Sequence, residues 1–306
     1  MNKKNFVFWR KLSGDEVADN FSAKPEYLQF FSNCSERFNF RIANNKESYK
    51  GGGIFENVCR YENWKIVPAE KEFKADFVYQ RMNLADKTFD KAVPLVDSIE
   101  FKAWCPDKWN QYELLKEFMP ESFLIMTEQD YVDQLSLVKT DKAVIKPRRG
   151  QEGKDITVFD KKNPPKLNSE ILTKKGYILQ EYCDTDVDMQ GVVNGIHDIK
   201  LITIDDSVFA NLRTPEIDKQ YCTYDSPYTE IPLSKLPKEV LEMHKRVKAK
   251  VDSLHPNQLY TVDVGMTKNG PIVFELNSHT AFPYTHFAYA DDFIQAFMKH
   301  MENLSQ

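Results

Sequence analysis

Residues 259–283 read LYTVDVGMTKNGPIVFELNSHTAFP, and this stretch is typical of a β-hairpin. Its second half alternates apolar with other residues at the period of two that indicates a strand, which places Glu275 and Asn277 on one face. Its first half carries one carboxylate, Asp263, among apolar residues. The Asn-Gly pair at 269–270 is a strong signal for the turn between two such strands.

The length of the turn decides which residues face each other. A two-residue turn at 269–270 sets Asp263 opposite Leu276, on the wrong face for an acidic pair. A three-residue turn at 268–270, with its last glycine in the left-handed region, sets Asp263 opposite Glu275. We expect the three-residue turn.

Asp263, Glu275 and Asn277 would then form a cluster of oxygen ligands on one sheet face. Two carboxylates and an amide suit Mg²⁺, which completes its shell with water and phosphate oxygens. The alternative is a half-exposed hairpin with ordinary polar residues toward solvent. These residues alone leave both interpretations open.

The composition narrows the class of protein. The chain has 306 residues, 42% hydrophobic and 28% charged, which is ordinary for a globular protein of one large domain or two. The net charge of −5 gives nucleic-acid binding no electrostatic support. Five cysteines without a CxxC pair indicate reduced thiols and a cytoplasmic location. Without a signal peptide or an apolar run of about 18 residues, we expect no membrane role.

The chain before the hairpin offers two glycine-rich segments. Residues 51–53 are a triple glycine, which we interpret as a flexible loop because no Lys-Ser/Thr pair and no clear helix follow. Residues 148–155, RRGQEGKD, lie between two predicted strands, the first of which carries Lys146. A Walker loop leads into a helix instead. The second segment suggests a flap over a nucleotide triphosphate, and a surface hairpin loop is the alternative.

A second hairpin carries polar residues between apolar ones. A two-residue turn at either 205–206 or 206–207 puts four of them on one face. They are Asp198, Lys200, Asn211 and Arg213. This face would bring two cations and an amide together. The alternative is an ordinary exposed sheet face with a salt bridge to Asp198.

Other residues have two interpretations each. The long loop 214–232 contains three tyrosines, Tyr221, Tyr224 and Tyr228, that either line a substrate pocket or pack the loop. Arg81 ends a predicted strand and either binds a substrate carboxylate or lies on the surface. His279 either contacts the acceptor, acts as a base, or packs.

Five separated motifs in order resemble the ATP-grasp superfamily, and most closely its glutathione synthetase and ribosomal-protein glutamate ligase branch. The motifs are CPDKWNQYELL, VIKP with the glycine loop, ILQEYC, HDIKLI with ANLRTP, and VDVG with FELNS. The resemblance covers about residues 104–284. It implies an α/β protein in which two α+β subdomains, 105–185 and 186–306, grip ATP behind a small α/β pre-ATP-grasp domain, 1–104.

The resemblance also implies nucleotide contacts. It places ATP phosphates at Lys108, Lys146 and the loop from Gly150 to Gly153, which includes Gln151 and Glu152. It places the adenine edge at the hinge formed by Gln180, Glu181, Tyr182 and Cys183. It assigns the ribose hydroxyls to Asp198, although the run between hinge and Asp198 is longer than expected for the branch.

The catalytic and metal residues follow in the same way. The resemblance implies catalytic roles for Arg213 and Lys200, with Lys200 standing where the branch usually has arginine. Asn211, on the same face of the second hairpin, is expected to act with them. Lys200 would place its charge on phosphate without the bidentate fork. Two Mg²⁺ ions, or Mn²⁺, are expected at three ligands, Asp263, Glu275 and Asn277.

The implied activity is ATP-dependent carboxylate–amine ligation through an acyl-phosphate. The expected partners are small-molecule or peptide acids and amines, and the chain is expected to form a homodimer or homotetramer. One alternative is an ATP-grasp kinase, favoured only by the basic pair Arg148-Arg149. The other is a nucleotide-binding protein without activity.

Overall fold

The computed structural model describes residues 3–10, 25–81, 89–150, 153–189, 191–216, 221–223, 226–278, 280 and 282–304. These residues form four β-sheets and seven α-helices. The helices are α1 (Pro25–Arg37), α2 (Ile99–Trp104), α3 (Lys108–Leu115), α4 (Glu128–Leu137), α5 (Ser169–Lys174), α6 (Lys238–Leu254) and α7 (Ala290–Leu304). None of the helices in these ranges has both the length and the apolar character needed to cross a bilayer.

The first hundred residues build two sheets from short strands. The strands are β1 (Asn5–Arg10), β2 (Asn39–Asn44), β3 (Tyr49–Gly51), β4 (Ile54–Glu56), β5 (Cys59–Glu62), β6 (Lys65–Pro68), β7 (Glu72–Lys74) and β8 (Phe77–Gln80). The larger sheet has the order β6-β5-β2-β1-β8, and β1 is parallel to both of its neighbours. The smaller sheet has the order β3-β4-β7. The carboxyl ends of β1, β2 and β8 therefore meet at one edge.

Two antiparallel sheets follow. The strands of the central sheet are β9 (Ser122–Ile125), β10 (Lys142–Pro147), β11 (Thr157–Asp160) and β12 (Tyr177–Glu181), in the order β11-β10-β12-β9. Those of the C-terminal sheet are β13 (Asp198–Ile204), β14 (Ser207–Arg213), β15 (Tyr228–Glu230), β16 (Tyr260–Thr267) and β17 (Gly270–Asn277), in the order β15-β14-β13-β16-β17. The predicted α/β fold is confirmed.

The hairpin of β16 and β17 has Asp263 opposite Glu275, as predicted, but the predicted three-residue turn is wrong. β16 ends at Thr267 and β17 begins at Gly270, and these residues pair, so the turn has two residues. If the pairing continued in this register without interruption, Asp263 would lie opposite Phe274. A β-bulge at Phe274 moves the pairing one residue on, to Glu275.

Packing around Gly265 explains the bulge. A Cβ on Gly265 would lie 2.5 Å from Cε2 of Phe274 and 2.6 Å from Cγ2 of Thr185. Because Gly265 has no side chain, the Phe274 ring lies over the opposite strand. The predicted alternation is therefore broken, and Val273 packs in the core with Leu276.

The second predicted hairpin is confirmed. The turn at 205–206 joins β13 to β14 and pairs Ile204 with Ser207. This register puts the four predicted polar residues on one face, in two cross-strand pairs: Asp198 with Arg213, and Lys200 with Asn211.

An aromatic core joins the beginning of the chain to its end. The ring centroid of Phe30 on α1 lies 4.5 Å from that of Phe282 and 5.3 Å from that of Phe297 on α7. Phe6 and Phe8 of β1 belong to the same cluster. The first and last predicted domains thus share one core, and the division of the chain at 104 and 185 stays a prediction.

Candidate active site

A row of polar side chains crosses the C-terminal sheet at one level. Asn211 on β14 pairs with Lys200 on β13. Lys200 pairs with Asp263 on β16, and Asp263 pairs with Glu275 on β17. Because cross-strand partners share a face, four strands place an amide, an ammonium and two carboxylates in one line.

Arg213 and Asp198 form the adjacent pair on the same face. Arg213 Nε donates to Asp198 Oδ1 at 2.7 Å, and its Nη2 donates to Oδ2 at 2.6 Å. Nη2 also donates to Asp263 Oδ2 at 3.0 Å, and Lys200 Nζ donates to the other Asp263 oxygen. The salt bridge to Asp198 is present, as in the alternative interpretation, but each of these four side chains is no more than 10% exposed. The face is therefore an interior charged cluster.

The opposite charges of this cluster counteract the effect of burial on the pKa values of Asp263 and Arg213. Burial acts to raise the pKa of Asp263, but Lys200 and Arg213 outweigh it and keep that pKa below its ordinary value. Burial acts to lower the pKa of Arg213, and the carboxylates of Asp263 and Asp198 reverse this and raise it. A charged site of this kind is ready to exchange its internal partners for charged ligand groups.

Two lysines reach the cluster from the central region. Lys108 Nζ donates to Gly150 O at 3.1 Å and lies 3.2 Å from Glu275 Oε1. Lys146 Nζ donates to Gln180 Oε1 at 3.0 Å. Both lysines are buried. Burial lowers the pKa of Lys146 to about 8, the nearby Lys108 charge adds to this, and Glu275 opposes it.

The predicted glycine loop begins beside these lysines. Gly150 and Gly153 are described, and Gln151 and Glu152 lie outside the described residues. Gly153 has a φ of +72°, which favours glycine, and a Cβ there would lie 3.7 Å from Cγ2 of Thr223. The loop therefore approaches the long tyrosine-containing segment.

The basic pair before this loop has an internal partner. Arg148 Nε donates to Asp107 Oδ1 at 2.8 Å, and Arg149 Nη2 donates to Asp107 Oδ2 at 3.1 Å. Asp107 also caps α3 by accepting from Trp109 N at 3.1 Å. The feature that favoured a kinase thus has a structural explanation.

The predicted hinge lies at the end of β12. Gln180 is buried and lies between Lys146 and Ser122. Its Oε1 accepts from Lys146 Nζ, and its Nε2 donates to Ser122 Oγ at 2.8 Å. Glu181 N donates to Glu121 O at 2.9 Å, and Tyr182 N donates to Lys142 O at 3.4 Å. Within the described part of the chain, the N–H of Cys183 has no acceptor. The adenine contact at these four residues stays a prediction.

The three predicted metal ligands converge. Asn277 Nδ2 lies 3.4 Å from Asp263 Oδ2, and Glu275 is the cross-strand neighbour of Asp263. No group of three or more His, Cys, Asp or Glu suited to a metal occurs among the described residues. Two carboxylates and an amide oxygen are hard ligands that fit Mg²⁺, and the 27% exposure of the Glu275 side chain leaves an open side.

Sequence reasoning missed Tyr289 at this site. The Tyr289 hydroxyl donates to Asn211 Oδ1, so the Asn211 amide nitrogen is left to point away from it. Tyr289 lies just before α7, 78 residues beyond Asn211, and no local pattern connects them.

The remaining predicted residues have mixed outcomes. Tyr228 OH accepts from Arg213 Nη1 at 3.3 Å, and Tyr221 OH donates to Ile156 O at 3.2 Å. Arg81 Nη1 donates to Thr280 O at 2.8 Å, so Arg81 lies near the end of the hairpin of β16 and β17. Tyr224 and His279 lie outside the described residues.

Comparisons with known proteins indicate the family and the fold of the chain. A family model described as an ATP-grasp domain matches residues 105–281. No curated protein sequence matches the chain.

Among solved structures, VanG D-Ala:D-Ser ligase from Enterococcus faecalis has a TM-score of 0.65 at 17% identity, covering 100% of both chains. D-cycloserine synthetase DcsG has a TM-score of 0.63 at 14% identity, covering 98% of this chain and 100% of that chain. ATP-grasp ligase PsnB, solved with precursor peptide PsnA2 and AMPPNP, has a TM-score of 0.59 at 14% identity, covering 99% and 100%. At these identities the likeness shows a shared fold.

Proposed function

The chain belongs to the ATP-grasp family, and on that premise we propose that it is an ATP-dependent carboxylate–amine ligase. In the proposed reaction a carboxylate oxygen of one substrate attacks the γ-phosphorus of ATP, and the bond to ADP breaks. The resulting acyl-phosphate is attacked at carbon by an amine, which loses a proton as phosphate leaves. The products are an amide, ADP and phosphate.

One observation carries this proposal: three cations, from α3, β13 and β14, contact the paired carboxylates of β16 and β17. Lys108 contacts Glu275, while Lys200 and Arg213 contact Asp263. Phosphoryl transfer requires mainly positioning and neutralisation of charge, and it needs no side-chain nucleophile. A buried set of ammonium and guanidinium groups beside a glycine loop supplies both.

We assign phosphate binding to Lys108, Lys146 and Lys200. Arg213 is placed to neutralise the transferred phosphoryl group and then the oxyanion formed when the amine attacks, an effect of about 10²–10³-fold in rate. Tyr289 orients the Asn211 side chain, and we assign to its amide nitrogen the role of a hydrogen-bond donor to the bound reactants.

Asp198 is assigned a positioning role. Both of its oxygens accept from Arg213, so it fixes the orientation of the guanidinium. Ribose binding by Asp198, which the resemblance implies, would require this pair to separate.

Asp263, Glu275 and Asn277 would hold Mg²⁺, and we propose two ions as in the sequence-based prediction. When bound, Mg²⁺ neutralises phosphate charge and orients phosphate oxygens. The chain's own contribution is to align the two carboxylates and balance their charge, through Lys200, Arg213 and Lys108.

We infer a small molecule or a peptide as the substrate, since the similar folds include a D-Ala:D-Ser ligase and a ligase solved with a precursor peptide. No contact within the described residues favours the kinase, because Asp107 engages Arg148 and Arg149.

The test is to incubate the protein with Mg²⁺-ATP and pooled acids, amino acids and short peptides, and to measure ADP and product masses. We expect ADP together with a new mass equal to acid plus amine minus water. AMP, or a phosphorylated alcohol, would overturn the proposal. ATP binding without any product would favour the nucleotide-binding alternative.

A further inference from the structure

Arg81 is a cation beside the candidate active site that no described carboxylate pairs with. It directly follows β8, and its backbone N–H donates to Trp9 O at 2.8 Å, so it lies at the carboxyl edge of the parallel strands. Open α/β sheets bind their ligands outside this edge.

The surroundings of Arg81 leave part of its hydrogen-bonding capacity unused. Its Nη1 donates to Thr280 O at 2.8 Å, and its guanidinium also interacts with the Tyr79 side chain. The guanidinium carbon lies 5.9 Å from the ring centroid of Tyr79 and 5.4 Å from that of Phe282. A guanidinium has five N–H donors, so these contacts leave donors for another acceptor. Arg81 is partly exposed, so a ligand can reach it.

The neighbouring buried charges add to the positive excess. Lys102 donates to Gln80 O, and its Nζ lies 3.8 Å from Asp97 Oδ2. Among these described residues, Arg81 and Lys102 provide two positive charges against the single carboxylate of Asp97. An excess of partly buried positive charge is costly, and a bound anion would reduce that cost.

The position of Thr280 relates Arg81 to the reaction site. Thr280 follows Asn277 by three residues, and three residues of extended chain span at most about 11 Å. Through Thr280 O, Arg81 therefore contacts the backbone within about 11 Å of the Asn277 backbone.

We propose that Arg81 binds a substrate carboxylate that is not the one activated by ATP. This inference rests on the proposed ligase function and narrows its substrates. Either the acid carries a second carboxylate, or the amine carries one, as an α-amino acid does. The flat fork of arginine matches the two oxygens of a carboxylate.

Matched substrate pairs test this. ADP release is measured with dicarboxylic acids against their monoamides, and with amino acids against amino-acid amides. We expect the wild-type protein to prefer one carboxylate series by about 100-fold in kcat/KM. Arg81→Gln should lose most of this preference through KM, Arg81→Lys should keep part of it, and Arg60→Gln, an exposed arginine on β5, should keep all of it.

A second arm does not depend on turnover. Binding of malonate, succinate, glutarate, glycine and alanine, with their amides as controls, is measured by calorimetry on the wild-type and Arg81→Gln proteins. We expect at least one carboxylate to bind only when Arg81 is present. Binding that never depends on Arg81, or an equal loss of activity on both members of every pair, would overturn the carboxylate site. Absence of ADP with all pairs would instead reject the ligase function.

Discussion

Lys108 Nζ lies 3.2 Å from Glu275 Oε1 and donates to Gly150 O at 3.1 Å. Lys108 begins α3, Gly150 begins the glycine loop, and Glu275 is on β17. One ammonium group therefore joins the central region to the C-terminal sheet at the place where the proposed phosphates would lie. ATP would replace internal partners that already hold this site in register.

Glu275→Gln tests the acidic end of this contact. The amide has nearly the same shape, and the side chain is 27% exposed, so we expect the free energy of unfolding to change by less than about 1 kcal/mol. ADP formation should fall by at least about 100-fold, because a metal ligand and a charge are lost together.

The measurement is ADP release across a Mg²⁺ titration, with urea unfolding in parallel. Glu117→Gln is the matched control, since Glu117 is an exposed residue paired with Arg246 and Lys250 and should leave turnover unchanged. Normal turnover by Glu275→Gln would exclude Glu275 from the metal site.

The lowered pKa of Lys146 predicts a pH-dependent affinity for ATP. With a pKa of about 8 in the free protein, this lysine loses its charge above that pH. Bound phosphate favours the charged form, so the Kd for ATP should rise by up to about tenfold per pH unit above about pH 8. Lys146→Arg stays charged and should give a flatter profile. Equal profiles from calorimetry would rule out a phosphate contact by Lys146.

The lowered pKa of Lys146 also makes the stability of the folded protein depend on pH, in the direction opposite to the affinity for ATP. The ordinary lysine pKa is 10.5, so between about pH 8 and that value the unfolded chain binds a proton at Lys146 that the folded protein does not. Stability from this group therefore rises with pH in that window. Lys102, whose pKa burial also lowers to about 8, contributes in the same direction.

Asp107 and its arginines give a third prediction. Asp107→Asn should cost about 1–3 kcal/mol of unfolding free energy, because a buried carboxylate that accepts from Arg148, Arg149 and the start of α3 loses its charge. Arg149→Gln should cost less than about 1 kcal/mol, since its side chain is 47% exposed. Urea unfolding checks both. Lost turnover without lost stability in Arg149→Gln would favour the kinase after all.

The face of the second hairpin was predictable because its information is local. The turn at 205–206 and the alternating pattern on either side fix which residues share a face, and the observed pairing of Asp198 with Arg213 follows from them. The role of Arg148 and Arg149 was not predictable, since their partner Asp107 is more than forty residues away. Basic residues beside a glycine loop indicate phosphate until that partner is seen.

The short elements were harder to predict. α2 has six residues, and its one local signal is Ser98, whose hydroxyl accepts from Phe101 N at 3.1 Å. The sheet of β3, β4 and β7 consists of three-residue strands, too short for a periodic pattern. Burial of Phe55 and Phe73 in a shared cluster stabilises it, which only the folded chain shows.

The bulge that aligns the acidic pair gives the fourth prediction. Its position depends on Gly265, because a Cβ there would lie within 2.6 Å of both the Phe274 ring and Thr185. Gly265→Ala should therefore cost about 1–3 kcal/mol by overpacking and should disturb the pairing of Asp263 with Glu275. We expect ADP release to fall by more than stability alone explains.

The double variant Gly265→Ala with Phe274→Leu separates packing from backbone effects. Leucine is smaller than the ring, so the double variant should regain part of the melting temperature lost by the single one. Gly265 is outside the group of glycines with positive φ, so backbone strain does not explain the loss. An unchanged melting temperature in Gly265→Ala, or no coupling between the two positions, would contradict the role of Phe274 in setting the register.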